Sequence, residues 1–217
     1  MQQRILTIAL LIGLFFGLAL LVSAMGSWRM PDNQQGYAPE QPIAYSHRLH
    51  AGELQIDCQF CHSAASSSQH AGIPSSDVCM KCHQYVTTSY NVMQQEAKAA
   101  EEKKREPKTI VSAELKKLYD SLALDDKLQS IEGGEPKSID WVRVHNLPDY
   151  VTFNHQAHVS AGVTCQTCHG PVETMERVRQ HSTLSMGWCV NCHRDANRDG
   201  IDGREVQAST DCATCHH

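Results

Sequence analysis

Hydrophobic positions are spread unevenly along the chain. Ile5 to Met25 is an unbroken run of 21 residues without charge. As an α-helix rising about 1.5 Å per residue, such a run spans roughly the 30 Å of a bilayer hydrocarbon core. It predicts a transmembrane anchor over residues 1–29. Val22-Ser23-Ala24 offers the rival reading of a cleaved signal peptide, whose apolar region is ordinarily shorter. Residues 30–46 carry the Pro, Gln and Gly of an extended linker. Glu96 to Glu106 is dense in charge, is bounded by Pro107 and sets Glu101 and Arg105 at i,i+4, which predicts a solvated helix. Leu115, Leu118, Tyr119 and Leu122 fall at i, i+3, i+4, i+7 and predict an amphipathic helix that packs on the core or on a partner. Gly133-Gly134 and Pro136 then interrupt it.

Composition changes this picture, because too little apolar side chain remains outside the anchor. The whole chain is 41% hydrophobic and 6% aromatic. Outside Ile5 to Met25 the hydrophobic share falls to about 37%, and ten of those residues are cysteines. Ordinary globular domains carry about 45–50% apolar residues with Cys and Gly counted. An enzyme domain built on a large aliphatic core is therefore not expected, and some group other than side chains must fill the centre.

The cysteines name that group. All ten fall into five Cys-x-x-Cys pairs, each followed at once by histidine: Cys58/Cys61-His62, Cys79/Cys82-His83, Cys165/Cys168-His169, Cys189/Cys192-His193 and Cys212/Cys215-His216. This is the attachment pattern of c-type haem. Two cysteines three apart reach both vinyl groups of one porphyrin, and the adjacent histidine lies under the ring to ligate the iron. A disulfide scaffold has no need of the histidines. Structural zinc takes two such pairs per metal and would leave a fifth pair over. A thioredoxin-like motif occurs singly in a βαβ pattern that is absent here. The expectation is five covalently bound haem c groups, two in residues 30–93 and three in 138–217, separated by a helical insertion over 94–137. The fold class is mostly α with much irregular structure, organised around the haems.

Five irons call for further ligands. Ala44-Tyr45-Ser46-His47-Arg48-Leu49-His50 precedes Cys58, and Thr152-Phe153-Asn154-His155-Gln156-Ala157-His158 precedes Cys165. The second histidine stands eight residues before the cysteine in one copy and seven in the other. Two histidines three apart share a helical face or a tight turn and can reach two different irons. His47, His50, His155 and His158 are thus the expected distal ligands, with His145 as the fifth. His70, His181 and His217 read as surface or supporting histidines. Met175 and Met186 are the alternative distal ligands, although a methionine beside a haem also serves simply to pack. Two imidazoles hold a haem at lower potential than a Met ligand does. No motif histidine is replaced by lysine, so the pattern points to electron transfer rather than substrate chemistry.

The paired-histidine repeat and evenly spaced motifs resemble the class III multihaem cytochromes. That resemblance implies that His47 serves the haem of Cys58/Cys61, that His155 serves the haem of Cys165/Cys168, and that His50 and His158 reach neighbours. Trp141-Val142-Arg143-Val144-His145-Asn146-Leu147-Pro148-Asp149-Tyr150-Val151-Thr152-Phe153, Cys168-His169-Gly170 and Leu184-Ser185-Met186-Gly187-Trp188-Cys189 further resemble the pentahaem cytochrome subunit of alternative complex III. The resemblance implies an electron-transfer subunit, not itself an enzyme, in a respiratory or photosynthetic quinol-oxidising complex. Its haem domain would lie on the periplasmic side of the bacterial cytoplasmic membrane, passing electrons to a periplasmic carrier or terminal oxidase. Ala9, Gly13 and Gly17 recur every four residues, a stripe suited to packing against other transmembrane helices. The net charge of −5 suits a soluble partner with a basic face. Two other readings remain: a free-standing, single-anchor quinol dehydrogenase feeding periplasmic reductases, and a multihaem reductase.

With the porphyrins as core, the haem-free chain is expected not to fold. Limited proteolysis checks this: the apo chain should be cut throughout, and a compact resistant apo form would contradict it.

Overall fold

The computed structural model describes residues 2–27 and 34–216, and the side chains of 24–27 are not described. The first helix, α1, runs over Gln2–Ser27. Its Gln2–Ser23 portion is long and apolar enough to cross a membrane and buries none of its surface in the protein, as an anchor or a signal sequence would. A β-carbon on Gly13 or Gly17 would meet no neighbour, so the small-residue stripe lies open.

The remainder is made of short helices and irregular chain. In order they are α2 (Cys58–Cys61), α3 (Ser76–His83), α4 (Tyr90–Glu102), α5 (Ala113–Ser121), α6 (His155–Ser160), α7 (Cys165–His169), α8 (Met186–Asp199) and α9 (Cys212–Cys215). A π-helical turn occupies Arg48–Glu53, and 3₁₀ turns occupy Ser63–Ser66 and Val172–Thr174. Among the described residues there is no sheet, only isolated antiparallel bridges such as Val151 to His216.

The side-chain core is very small. The buried apolar residues described are Ala65, Ala100, Leu118, Tyr119, Ala123, Met175 and Ala196. Four are alanines, which bury little area each. This is the apolar shortage of the sequence expressed in three dimensions.

The two blocks are not separate bodies. Helix α6 packs against the Ser63–Ser66 turn, and the π-helical turn packs against Val172–Thr174. Backbone hydrogen bonds seal the contact: the His155 and Gln156 amides donate to the Gln69 and Ser68 carbonyls, at 3.0 and 3.1 Å, and the Arg48 amide donates to the Met175 carbonyl at 2.9 Å. The described part of the linker is also pinned. The Gly36 amide donates to the Gln180 carbonyl, the Gln180 amide to the Tyr37 carbonyl, and Arg177 pairs with Glu40.

The insertion differs from expectation in one helix and agrees in the other. The charged helix ends at Glu102 rather than continuing to Glu106, because Lys104 turns into the left-handed region at φ +50°. Arg105 thereby folds back onto Glu96, with both guanidinium nitrogens on its carboxylate, instead of pairing with Glu101. The Lys108 amide also donates to that carboxylate. These donors, Arg105 foremost, hold the Glu96 carboxyl down to about 2. The amphipathic helix is α5, capped by the Ser112 hydroxyl accepting from the Leu115 amide. It buries Leu118 and Tyr119, and the Tyr119 hydroxyl donates to the His83 carbonyl. The insertion therefore braces the second motif rather than acting as a bare spacer.

Replacing Tyr119 with Phe removes one partly buried hydrogen bond and should cost about 0.5–1.5 kcal/mol. Replacing it with Ala also opens a cavity and should cost about 3–5 kcal/mol. Denaturant unfolding of the haem-loaded chain measures both, and a Phe variant as stable as the wild type would remove the His83 contact from the account.

Candidate functional site

Each motif is written on one short helix. In α2 and α9 a single turn runs from first to second cysteine, so both thiols share a face and the histidine follows at the helix end. The turn is nucleated by its cap: Asp57 accepts from the Gln59 amide and Asp211 from the Ala213 amide. In α3 the motif forms the last turn, and the Cys82 carbonyl ends it by accepting from the Tyr85 and Val86 amides, each at 2.9 Å. Helix α8 starts on its own cap, with Ser185 accepting from the Trp188 amide. Helix α7 ends on Gly170 at φ +70°, where a β-carbon would also collide with the His181 ring, so only glycine fits.

All ten thiols are free of disulfides, but they are not set equally deep. Cys58, Cys82, Cys165 and Cys212 are exposed, and Cys61, Cys79, Cys168, Cys189, Cys192 and Cys215 are half-buried. A thioether sulfur has to project beyond its helix to reach a vinyl group at the porphyrin edge, so the polypeptide alone does not cover it. Cys82 shows this most plainly: α5 covers the backbone of the next residue, His83, and leaves the Cys82 side of the turn open.

Three histidines of the repeat face motif histidines across open gaps. The ring centres of His50 and His83 are 6.1 Å apart, those of His155 and His169 6.4 Å, and those of His158 and His193 5.9 Å. Metal–imidazole bonds of about 2 Å on each side place two coordinated ring centres roughly 6 Å apart. The spacing therefore suits one iron between each pair. His47 lies near His62: burial first, then the His62 and His50 rings, push His47 down to about 4. A histidine so placed stays neutral and available as a ligand.

The second ring nitrogens complete the fit. His62 Nδ1 bonds the Gly72 carbonyl at 2.8 Å, His83 Nδ1 the Val86 carbonyl at 2.8 Å, and His193 Nδ1 the Ser209 carbonyl. Among the facing histidines, His50 bonds the Ser46 carbonyl at 2.9 Å, His158 the Asn154 carbonyl at 2.8 Å and His155 the Gln69 carbonyl at 3.0 Å. A carbonyl can only accept, so each of these rings carries its proton on Nδ1 and turns the Nε2 lone pair outward. That is the state in which an imidazole binds metal. His47 Nδ1 is buried without a protein partner.

The two repeat copies have the same aromatic scaffold. Tyr45 stacks on His50 at 4.4 Å and stands edge-on to His47 at 4.8 Å. Phe153 stacks on His158 at 4.4 Å and stands edge-on to His155 at 4.8 Å. The task of these aromatics is not evident from the residue type; their recurrence ahead of both His-x-x-His pairs is the one signal of it in the sequence. The copies differ in winding. The first takes the π-helical turn and the second the α-helix α6. A π turn holds one residue more than an α turn, which accounts for the spacing of eight residues against seven.

The other candidate residues are not members of these pairs. His145 Nε2 is 3.2 Å from His169 Nδ1, with the rings edge-on at 4.3 Å. Burial, followed by the His145 and His155 rings, pushes His169 down to about 4. The His216 ring faces Tyr150 at 5.8 Å, where the Thr152 amide donates to the Cys215 carbonyl. Met175 is buried, Met186 is largely exposed at the start of α8, and His70 is exposed. His217 lies outside the described residues.

The thiols of successive motifs lie near one another. Burial raises Cys61, and Cys82 raises it further; Cys79 is raised by burial and then by Cys61. Cys58 is raised by burial and then by Cys165. Cys168 is pushed up to about 11 by burial and then by Cys192 and Cys189, while Cys189 is raised by burial and then by Cys215.

Comparison with known proteins agrees with this chemistry. Residues 151–217 match the family described as cytochrome c7 and related cytochrome c. Over 93% of its length the chain is 25% identical to the menaquinone reductase, multiheme cytochrome c subunit, of Nitratidesulfovibrio vulgaris, and the match covers 88% of that protein. The likeness is to multihaem c-type cytochromes and implies covalently bound haem c.

The haem count is directly measurable. A pyridine haemochrome assay against protein concentration should give five haems per chain, and four after Cys189 and Cys192 are both replaced by Ala. A ratio unchanged by that double replacement would rule out the fourth motif as an attachment site.

Proposed function

We propose that this chain is the membrane-anchored pentahaem cytochrome of a quinol-oxidising complex of the alternative complex III type, relaying electrons toward a periplasmic carrier or terminal oxidase. The observation that carries the relay is the set of histidine pairs facing across gaps of one-iron width. Each haem would be held by its two cysteines and its motif histidine. His47, His50, His155 and His158 would serve as distal ligands of the first, second, third and fourth haems. When bound, haem iron supplies one-electron chemistry between its ferric and ferrous states. The chain's own residues hold the rings, fix their tautomers and close both iron faces of the first four haems, so that electrons pass while small molecules are kept off those metals.

The contacts support a linear path in the order second, first, third, fourth, fifth motif. His47 and His50 share one turn and join the first motif to the second. The packing of α6 on Ser63–Ser66 joins the first to the third. His155 and His158 on α6 join the third to the fourth. Asn197 holds both backbone groups of Ala208, at 2.7 and 2.8 Å, and joins the fourth to the fifth. The neighbouring thiols keep the same order.

A single transmembrane helix cannot enclose a quinone, so quinone chemistry would belong to partner subunits, against which Ala9, Gly13 and Gly17 would pack. The relative named as a menaquinone reductase subunit favours a second reading, in which the same relay runs toward quinone. Purification from mild detergent with stopped-flow spectroscopy tests both. Co-purifying membrane subunits and haem reduction by added quinol are expected, with Gly13→Leu/Gly17→Leu releasing the chain from the complex. Haem oxidation by added quinone, with no reduction by quinol, would select the reverse direction. A lone chain that oxidises quinol would overturn the complex.

A further inference from the structure

His145 was expected as the fifth distal ligand, yet its Nε2 is directed at another ring. It lies 3.2 Å from Nδ1 of His169 in edge-on contact at 4.3 Å. The histidines of the first, second and fourth motifs place Nδ1 on a backbone carbonyl. His169 alone among these four uses a side chain. Resting on the reading of His169 as an axial ligand, the proton of its neutral ring must sit on Nδ1, since Nε2 gives its lone pair to iron. His169 Nδ1–H is therefore the donor and His145 Nε2 the acceptor. An Nε2 engaged in this way has no lone pair left for an iron.

The segment carrying His145 is held for the purpose. Gln41, in the stretch of chain after the N-terminal helix, clamps Val142 from both sides: its amide nitrogen donates to the Val142 carbonyl and its amide oxygen accepts from the Val142 N–H, each at 2.9 Å. His155 stands 6.4 Å from the same His169 ring, with the rings 9° from parallel. His145 thus places an imidazole acceptor on the remote nitrogen of a ligand read for the third haem.

We propose that His145 is a positioning residue for His169, fixing its tautomer and orientation and making its Nε2 a stronger donor to the third haem, rather than an iron ligand in its own right. A partner on the remote nitrogen of a metal-bound histidine raises ligand basicity, which favours ferric iron and lowers the potential of that haem relative to one without the acceptor.

The test uses the haem-loaded full-length chain with His145→Leu, His145→Asn and Gln41→Ala. Electron paramagnetic resonance and carbon monoxide binding report spin state and open coordination, and a spectroscopic redox titration reports each transition. The expected result is spin states unchanged from the wild-type chain, with one redox transition moved to higher potential in His145→Leu. It should move partly back in His145→Asn, whose amide oxygen can accept the same proton. Gln41→Ala, which loosens the segment without touching the dyad, should give a smaller shift of the same transition, and it carries the test if His145→Leu fails to accumulate. A new high-spin, carbon monoxide-binding haem in the His145 variants would make His145 an iron ligand and overturn the proposal. Unshifted transitions in all three variants would also overturn it. If the wild-type chain itself shows no low-spin bis-imidazole haem, the underlying ligand assignment fails instead, a result distinct from either.

Discussion

An imidazole can give one nitrogen to iron only if its other nitrogen holds the proton, and a proton on a buried ring needs an acceptor. Six of the candidate ligand histidines find that acceptor in a backbone carbonyl. Gly72, Val86 and Ser209 lie in irregular chain past the ends of their motif helices, where carbonyls are not consumed by helical bonding and remain free to accept. Ser46 and Asn154 do the same for His50 and His158 from four residues upstream. Gln69 does it for His155 across the boundary between the two blocks. The abundance of loops is thus not looseness.

The small side-chain core reflects the same design. Four alanines stand among the described buried apolar residues, and each buries little area. Of the larger buried apolar side chains, Leu118 and Tyr119 sit on α5, where the Tyr119 hydroxyl donates to the His83 carbonyl, and Met175 lies outside it.

The local part of the candidate site was legible in the sequence, because Cys, Cys and His of each motif lie within about one helical turn. The His-x-x-His repeat was legible for the same reason. What was not legible depended on contacts between distant segments. That Glu96 pairs with Arg105 rather than leaving it to Glu101 depends on a left-handed Lys104, which helical spacing does not reveal. That His145 addresses His169, 24 residues away, depends on Gln41 clamping Val142 across 101 residues. No periodic pattern encodes either. The joining of first and third motifs through α6 was hidden for the same reason, since the insertion separates them in sequence but not in space.

The π-helical turn at Arg48–Glu53 bears on how the two halves should be compared. Any alignment of the paired-histidine copies has to absorb one surplus residue, and the natural guess is a loop beside the cysteines. The winding puts it instead inside the helical turn itself, downstream of His50, leaving aromatic, histidines and carbonyl in identical register. An inserted residue has been taken up as a change of pitch. The ligand cassette is therefore a unit whose geometry is insulated from the length of the segment behind it, the property that lets a haem-bearing module be copied within one polypeptide without being rebuilt.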